Sequence, residues 1–318
     1  MPALDPLPFF FWKEPRLLVD VRPAAVFRKG SLENARSIPE DQFSNQEDLL
    51  NEIKKMQDEG PVHLIDRDGT TSEYLSHGAA IKYLKGGYEA FKIWRELAFD
   101  AGPPLYLLGG YSGSGKTEFL EHLENNHHQV INLESLGGHK GSIFGSSRSQ
   151  PLHDTFQNTL LHLWYSMKTN APVWIEEKGP FLGQVGLPPS LYKRMLDSPM
   201  IHLDVPFEQR LFHILQTYEF FNHEKFRHSL QSLEERMGTS ENHKALHFHD
   251  TGQKEKCFEL LLKYYDRAYE KRREKYLSGK IIHINHSHDD IPATLAKIEV
   301  VLKKKPRSLT AGEPIPKN

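Results

Sequence analysis

Short apolar runs alternate with amphipathic stretches along most of the chain. Leu17-Leu-Val-Asp-Val21, Pro61-Val-His-Leu-Ile65, Leu105-Tyr-Leu-Leu108 and Gln129-Val-Ile-Asn-Leu133 have strand length. So do Pro172-Val-Trp-Ile-Glu176, Met200-Ile-His-Leu-Asp204 and Lys280-Ile-Ile-His-Ile284. Runs this apolar suit strands covered on both faces. Between them, Leu49, Leu50, Ile53 and Met56 share one helical face, as do Phe119, Leu120 and Leu123. A short helix is predicted at Ala24–Phe27, others through Tyr74, Ala79 and Ile81 and from Ala90 to Leu97, with a strand-to-loop exit over Leu84–Tyr88. Further helices are predicted near 151–169, 188–197, 206–220 and 254–278. Strands alternating with helices predict an α/β protein with parallel sheets, and ligands at the carboxyl ends of the strands. Phe99-Asp-Ala-Gly-Pro-Pro104 breaks the pattern. The expected domains are an α/β domain over 1–100 and a parallel-sheet domain with a helical insert over 104–302. The proline-bearing tail, 303–318, is expected to be disordered.

The strongest chemical signal follows Leu105–Leu108. Gly110-Tyr-Ser-Gly-Ser-Gly-Lys-Thr117 satisfies G-x-x-x-x-G-K-[ST], between a predicted strand and a predicted helix. Glycines let the backbone turn its N–H groups around a phosphate, and the helix N-terminus adds partial positive charge. Gly110, Gly113, Ser114, Gly115, Lys116 and Thr117 are the expected phosphate- or nucleotide-binding residues. Lys116 reaches the terminal phosphate, and Thr117 offers a hydroxyl to Mg²⁺ where a nucleotide is bound. Glu134, Glu176 and Glu177 fall at carboxyl ends of predicted strands. Glu176 and Glu177, with Lys116, are the candidate catalytic residues. The fold expected for this half is that of the P-loop NTPases.

Composition narrows the setting. The 318 residues allow two domains. With 38% hydrophobic and 26% charged residues and a net charge of −2, the chain reads as soluble, and a nucleic-acid partner must meet a local patch. No apolar run is long enough to span a membrane, and Leu7-Pro-Phe-Phe-Phe-Trp12 is too short for a signal segment. The lone cysteine, Cys257, excludes an internal disulfide and points to a cytoplasmic protein.

In the first hundred residues, Asp20-Val-Arg22, Phe27, Gly30, Ala35 and Ile38-Pro39 resemble the opening of a rhodanese domain. Gly86-Gly-Tyr88 and Ala90-Phe91 resemble its close. Rhodaneses carry sulfur on a cysteine whose loop amides stabilise the thiolate. The matching loop here is Ile65-Asp-Arg-Asp-Gly-Thr-Thr-Ser72. Arg67, Gly69 and Ser72 fit the pattern, and Ile65 stands where the cysteine is expected. The loop is degenerate and carries neither sulfur nor selenium. Cys257, in an amphipathic stretch, reads as a small core hydrophobe.

Together, the rhodanese-like half and the phosphate loop resemble the bacterial tRNA 2-selenouridine synthase family over about residues 15–290. Leu133-Glu-Ser-Leu-Gly-Gly-His-Lys-Gly-Ser-Ile-Phe-Gly145, Glu176-Glu177-Lys178-Gly179 with Leu187-Pro188, and Tyr264-Tyr-Asp266 with Tyr269 carry the likeness. The resemblance implies a cytoplasmic transferase acting on the wobble uridine of tRNA. Its 2-thio sulfur is exchanged for selenium from selenophosphate, through an S-geranyl intermediate made from geranyl diphosphate. Two departures matter: the cysteine is missing, and Lys178 replaces an acid. The stretch between Pro39 and Pro61 is also shorter than the family's insertion. The reading is a protein of this type, acting in geranyl transfer or sulfur-to-selenium exchange and defective in the selenium step. The alternatives are a P-loop small-molecule kinase or NTPase with an inactive rhodanese domain, and a non-catalytic tRNA-binding protein.

For tRNA, the glycine-rich stretch supplies His139, Lys140 and Arg148, and the run Lys263–Lys275 supplies Arg267, Arg272 and Arg273, with tyrosines that either stack on bases or pack inward. His247, His249, His283, His286 and His288 invite a metal reading. His247-Phe-His249 and His286-Ser-His288 have strand spacing, but no structural metal is expected.

Overall fold

The computed structural model describes residues 3–77, 80–139, 149–217, 223–276 and 280–304. The chain divides into two units. The first comprises Met1–Asp100, Pro151–His162 and Pro188–Ser190, and the second Ala101–Gln150, Leu163–Leu187 and Leu191–Asn318. Of the expected tail, 305–318 lie outside the described residues.

The first unit is built on strands β1 (Ala3–Leu4), β2 (Leu17–Asp20), β3 (Arg36–Ser37), β4 (Val62–Ile65) and β5 (Lys82–Leu84). They form one parallel sheet in the order β1-β5-β4-β2-β3. β4 is buried at every position, which accounts for its apolar residues Val62, Leu64 and Ile65; the exception, His63, is buried as well. The helix Gln46–Met56 lays Leu49, Ile53 and Met56 on this sheet, and Asn45 caps it by accepting from the Asp48 amide. The helix predicted to run through Ile81 is Thr70–Ser76; Ile81 is instead buried at the entrance to β5, and Ala79 lies outside the described residues. A buried guanidinium explains why Pro151–His162 belongs here. Arg95, 2% exposed, donates to Asn158 Oδ1 at 2.6 Å and pairs with Asp154 at 2.9 Å. Asn158 in turn donates to the Ser31 carbonyl.

The second unit holds β6 (Leu105–Gly109), β7 (Gln129–Ile131), β8 (Val173–Glu176), β11 (Met200–Asp204) and β12 (Ile281–Asn285), with β9 (Phe181–Leu182) and β10 (Val185–Gly186) as a separate antiparallel pair. The five-stranded sheet is parallel, in the order β12-β11-β6-β8-β7. β6 is thus central, and all five of its residues are buried. Beyond β11, the helices Phe207–Thr217, His223–Gln231, Glu234–Met237, Thr239–Asp250 and Lys254–Arg273 gather a core of their own around Leu211, Leu230, Ala245, Phe258 and Leu261. His247-Phe-His249, spaced as on a strand, lies on one of these helices. Among the described residues, no helix is long and apolar enough to cross a membrane.

Candidate functional site

β6 ends at Gly109, and a helix starts at Lys116. The turn between them needs left-handed backbone at Gly110, Gly113 and Gly115, with φ of 148°, 79° and 75°. A Cβ at Gly113 would also come within 2.8 Å of the Arg210 carbonyl oxygen. Among the described residues, the amides of Gly113, Gly115, Lys116 and Thr117 have no hydrogen-bond acceptor. Ser114 is fully buried, and its hydroxyl has no partner there either. Unpaired donors of this kind at a helix start are a concave anion site. The Lys116 ammonium folds over the loop, donating to the carbonyls of Gly110 at 2.8 Å and Tyr111 at 3.0 Å. Burial lowers its pKa, and Glu176 opposes that shift. The six residues expected to hold phosphate therefore come together on one turn.

Distant residues brace this turn. Tyr269, on the helix Lys254–Arg273, accepts the Gly110 amide on its hydroxyl at 3.0 Å. Asp266, one turn earlier, holds Arg210 through two bonds of 3.0 and 2.7 Å, and Arg210 donates to the Ser112 carbonyl. Sequence reading linked Tyr269 and Asp266 to the family but not to the loop. Arg210 gave no signal of its own.

The strand-end acids divide into two roles. Glu176, 3% exposed, lies 3.0 Å from the Lys178 ammonium and 3.9 Å from that of Lys116. Lys178 also meets Glu134 at 2.5 Å. Glu134 sits in the first turn of the helix Leu133–Gly137, just beyond β7. Burial pushes the Glu176 carboxyl up, and Lys178 opposes it. Burial also works against the charge of Lys178, but Glu176 and Glu134 outweigh it and raise its pKa. Glu177 faces elsewhere: Arg272 grips it with two bonds of 2.8 and 2.9 Å, and the Tyr276 hydroxyl adds a third. Glu177 is buried while Arg272 is about a third exposed, so the pair ties the strand end to the helix Lys254–Arg273 with one partner still facing solvent. Thr117 is exposed at the end of the loop. The acid that would share Mg²⁺ with it, Glu176, is already neutralised by Lys178. As they stand, these residues do not fit a divalent cation.

In the first unit, Ile65 closes β4 with its side chain fully buried. The group lying over the loop amides belongs to the next residue. Asp66, 2% exposed, accepts the Gly69 amide at 2.8 Å and the Ser72 amide at 2.9 Å. Burial raises the pKa of this carboxyl, and the two amides oppose the rise. Gly69 has φ of 92° and packs against the Gly86 backbone, Ser72 is buried, and Arg67 is exposed.

The residues expected to meet tRNA are scattered in their engagements. Arg267 pairs with Glu241 at 2.5 Å, Arg273 with Glu270 at 3.0 Å, and Arg272 with Glu177. His139 is half-buried, its amide bonded to the Glu134 carbonyl. Lys140 and Arg148 lie outside the described residues.

Family models match both halves. One for the tRNA 2-selenouridine synthase AAA domain matches residues 103–246, and one for the rhodanese-like domain matches 11–93. The tRNA 2-selenouridine synthase of Sulfurovum sp. (strain NBC37-1) is 31% identical over 188 residues, covering 57% of this chain and 50% of that protein. That of Shewanella sp. (strain MR-7) is 28% identical over 258 residues, covering 69% and 68%. That of Hahella chejuensis is 29% identical over 160 residues, covering 48% and 41%. The chain thus spans about half the length of the Sulfurovum relative and about two thirds of the Shewanella one.

Proposed function

We propose that the chain, which matches the tRNA 2-selenouridine synthase AAA domain over residues 103–246 and a rhodanese-like domain over 11–93, is a member of the tRNA 2-selenouridine synthase family and acts on the 2-thio group of tRNA wobble uridine in an alkyl-transfer step, without the selenium step. The observation that supports this reading is the contrast at its two loops. The phosphate loop presents unpaired amides, a buried unpaired hydroxyl and an ammonium, whereas the rhodanese-like loop has no thiol at either Ile65 or Asp66.

The chemistry suits a prenyl diphosphate such as geranyl diphosphate. The thiocarbonyl sulfur forms a bond to C1 of the geranyl group, the C1–O bond breaks, diphosphate leaves with the electron pair, and the N3 proton of the thiouracil ring passes to the released diphosphate, leaving a neutral S-geranyl base. Negative charge grows on the bridging oxygen as the bond breaks. Preorganised amides and Lys116 stabilise that charge more than they stabilise the ground state. Lys178 supplies a second ammonium, in the place where Mg²⁺ would otherwise be held. Glu176 orients both ammonium groups, and Glu177 positions Arg272 for the tRNA backbone.

The test is to incubate the protein with 2-thiouridine tRNA and geranyl diphosphate, then analyse the digested nucleosides by mass spectrometry. S-geranylated 2-thiouridine is expected, with no 2-selenouridine when selenophosphate is added. Nucleotide hydrolysis without tRNA would instead make the protein a P-loop kinase or NTPase. Tight tRNA binding without turnover would make it a binding protein.

A further inference from the structure

We infer that the carboxyl ends of β11 and β12 form a three-ligand site for a borderline divalent cation of the Zn²⁺ class, built from His202, Asp204 and His283. The proposal stands apart from the tRNA reading, because it rests on the sheet and not on the phosphate loop. His202 and His283 are direct register partners on neighbouring parallel strands. Asp204 is two residues beyond His202, so strand periodicity returns its side chain to the same face. The strand-end position fixes all three side chains without help from a loop.

The donor atoms already converge. His202 Nδ1 lies 2.9 Å from Asp204 Oδ1, and His283 Nδ1 lies 3.0 Å from the same oxygen. The three donors all fall within 4.8 Å of one another. Around a tetrahedral Zn²⁺ with bonds of about 2.0–2.1 Å, neighbouring ligand atoms stand roughly 3.3 Å apart. The two histidine–aspartate distances need to open by only a few tenths of an ångström to reach that spacing. His202 is fully buried, while His283 is half-exposed and Asp204 partly so, which leaves an entry path.

The donor set defines the chemistry. Two imidazoles and one carboxylate suit Zn²⁺, Co²⁺ or Ni²⁺ and are poor ligands for Mg²⁺. Three protein ligands leave one coordination position for water or for an oxygen or sulfur atom of a ligand, as in catalytic rather than structural zinc sites. A cavity lined by Tyr111, Asp204, Val205, Pro206 and Asn285 adjoins the cluster. Tyr111 belongs to the phosphate loop, and its ring meets that of His202 edge-on at 5.5 Å. Of the histidines that invited a metal reading in the sequence, His283 belongs to the cluster, and the spaced pairs do not. His286 bonds to Thr294 and His288 to the Gly113 carbonyl.

The competing arrangement is a carboxylate held by two neutral imidazoles with no metal affinity, and one experiment separates them. Full-length, tag-free, chelator-washed protein is titrated with Co²⁺. One equivalent should develop the visible d–d bands of a four- or five-coordinate ion, and Zn²⁺ should displace it. His283→Gln and Asp204→Asn should each weaken Co²⁺ binding at least tenfold, with circular dichroism of the metal-free proteins unchanged. Zn²⁺ should raise the melting temperature of the wild type and leave that of His283→Gln where it is. A Co²⁺ spectrum that stays that of the hydrated ion, or binding that survives both substitutions, overturns the site.

Discussion

Two loops of this chain share one design. Each follows a parallel strand, turns through a left-handed glycine and opens a helix: Asp66–Ser72 after β4, and Gly110–Thr117 after β6. Each gathers backbone amides into a concave nest. They differ in the charge the chain itself places there. In the first, the Asp66 carboxylate accepts two of the amides, so an internal anion already fills the nest. In the second, the internal ion is the Lys116 ammonium, held on carbonyls, and the amides stay open. A nest that contains its own anion is a structural turn. A nest whose internal ion is a cation leaves its amides to an outside anion, the role proposed for the second loop.

The largest effect belongs to Lys116. Lys116→Ala should weaken binding of inorganic diphosphate by about 100-fold, or ~3 kcal/mol, as expected for losing a charge-assisted bond in a desolvated site. Isothermal titration calorimetry measures it. Because burial lowers the pKa of Lys116, wild-type affinity should also fall as pH rises, beginning below the ordinary lysine value of 10.5. Affinity that is flat to that pH, or unchanged in the variant, would remove the difference between the loops.

Asp66 comes next. Asp66→Ala strips two buried amides of their acceptor, which costs about 1–3 kcal/mol of stability. Sulfate should win part of this back by taking the vacated nest. The measurement is a thermal melt with and without sulfate in a Lys116→Ala background, where the second loop no longer responds. Equal sulfate shifts with and without Asp66 would mean that the first nest was never filled. Thiol placement makes the same point chemically. With Cys257 replaced by alanine, Asp66→Cys should give a reactive thiol of lowered pKa, and Ile65→Cys a buried inert one.

This last contrast marks where the sequence stops being informative. Local patterns show well: β4, β6, β8 and β11 are buried throughout or nearly so, and their apolar runs are visible as such. The glycine spacing of the phosphate loop is equally plain. The sequence resemblance pairs Ile65 with the cysteine, yet which side chain of the loop lies over the amides depends on where β4 ends, one residue either way. β1 and the helix Pro6–Phe10 were not anticipated, because Leu7–Trp12 is apolar without a period. The helices between 223 and 250 were missed for the opposite reason, their buried residues being few among histidines and charges. The partners of the strand-end acids are long-range. Glu134 meets Lys178 across 44 residues and Glu177 meets Arg272 across 95, and no spacing rule reaches that far. His202, Asp204 and His283 converge only through strand register.

A smaller effect is expected at Lys178. If its ammonium stands in for a divalent cation, wild-type affinity for diphosphate should be the same in chelator and in Mg²⁺. Lys178→Ala leaves Glu134 and Glu176 facing each other without the ion between them. The variant should bind diphosphate several-fold more weakly in chelator and regain affinity when Mg²⁺ is added, because two unpaired carboxylates now offer it a place. A wild type that already requires Mg²⁺ would show that the second loop works as an ordinary nucleotide site.

The smallest effect should come from Cys257, the one thiol that could reopen the question of the first loop. It is 1% exposed and packed in the helical core with Phe258 and Leu261. Burial, with a further push from Asp250, raises its pKa to about 12. At pH 7 about one part in 10⁵ is then thiolate, and the thiolate is the nucleophile. Native protein should therefore leave a disulfide reagent untouched and consume one equivalent after denaturation. Cys257→Ala should leave alkyl transfer unchanged and lower stability by ~1 kcal/mol, the cost of a small cavity. Rapid native labelling, with selenium transfer lost in Cys257→Ala, would restore a sulfur carrier to the chain and undo the assignment of the first loop as structural. The core around this residue argues for the opposite outcome: to reach any substrate, the thiol would have to leave the packing that holds the helices together.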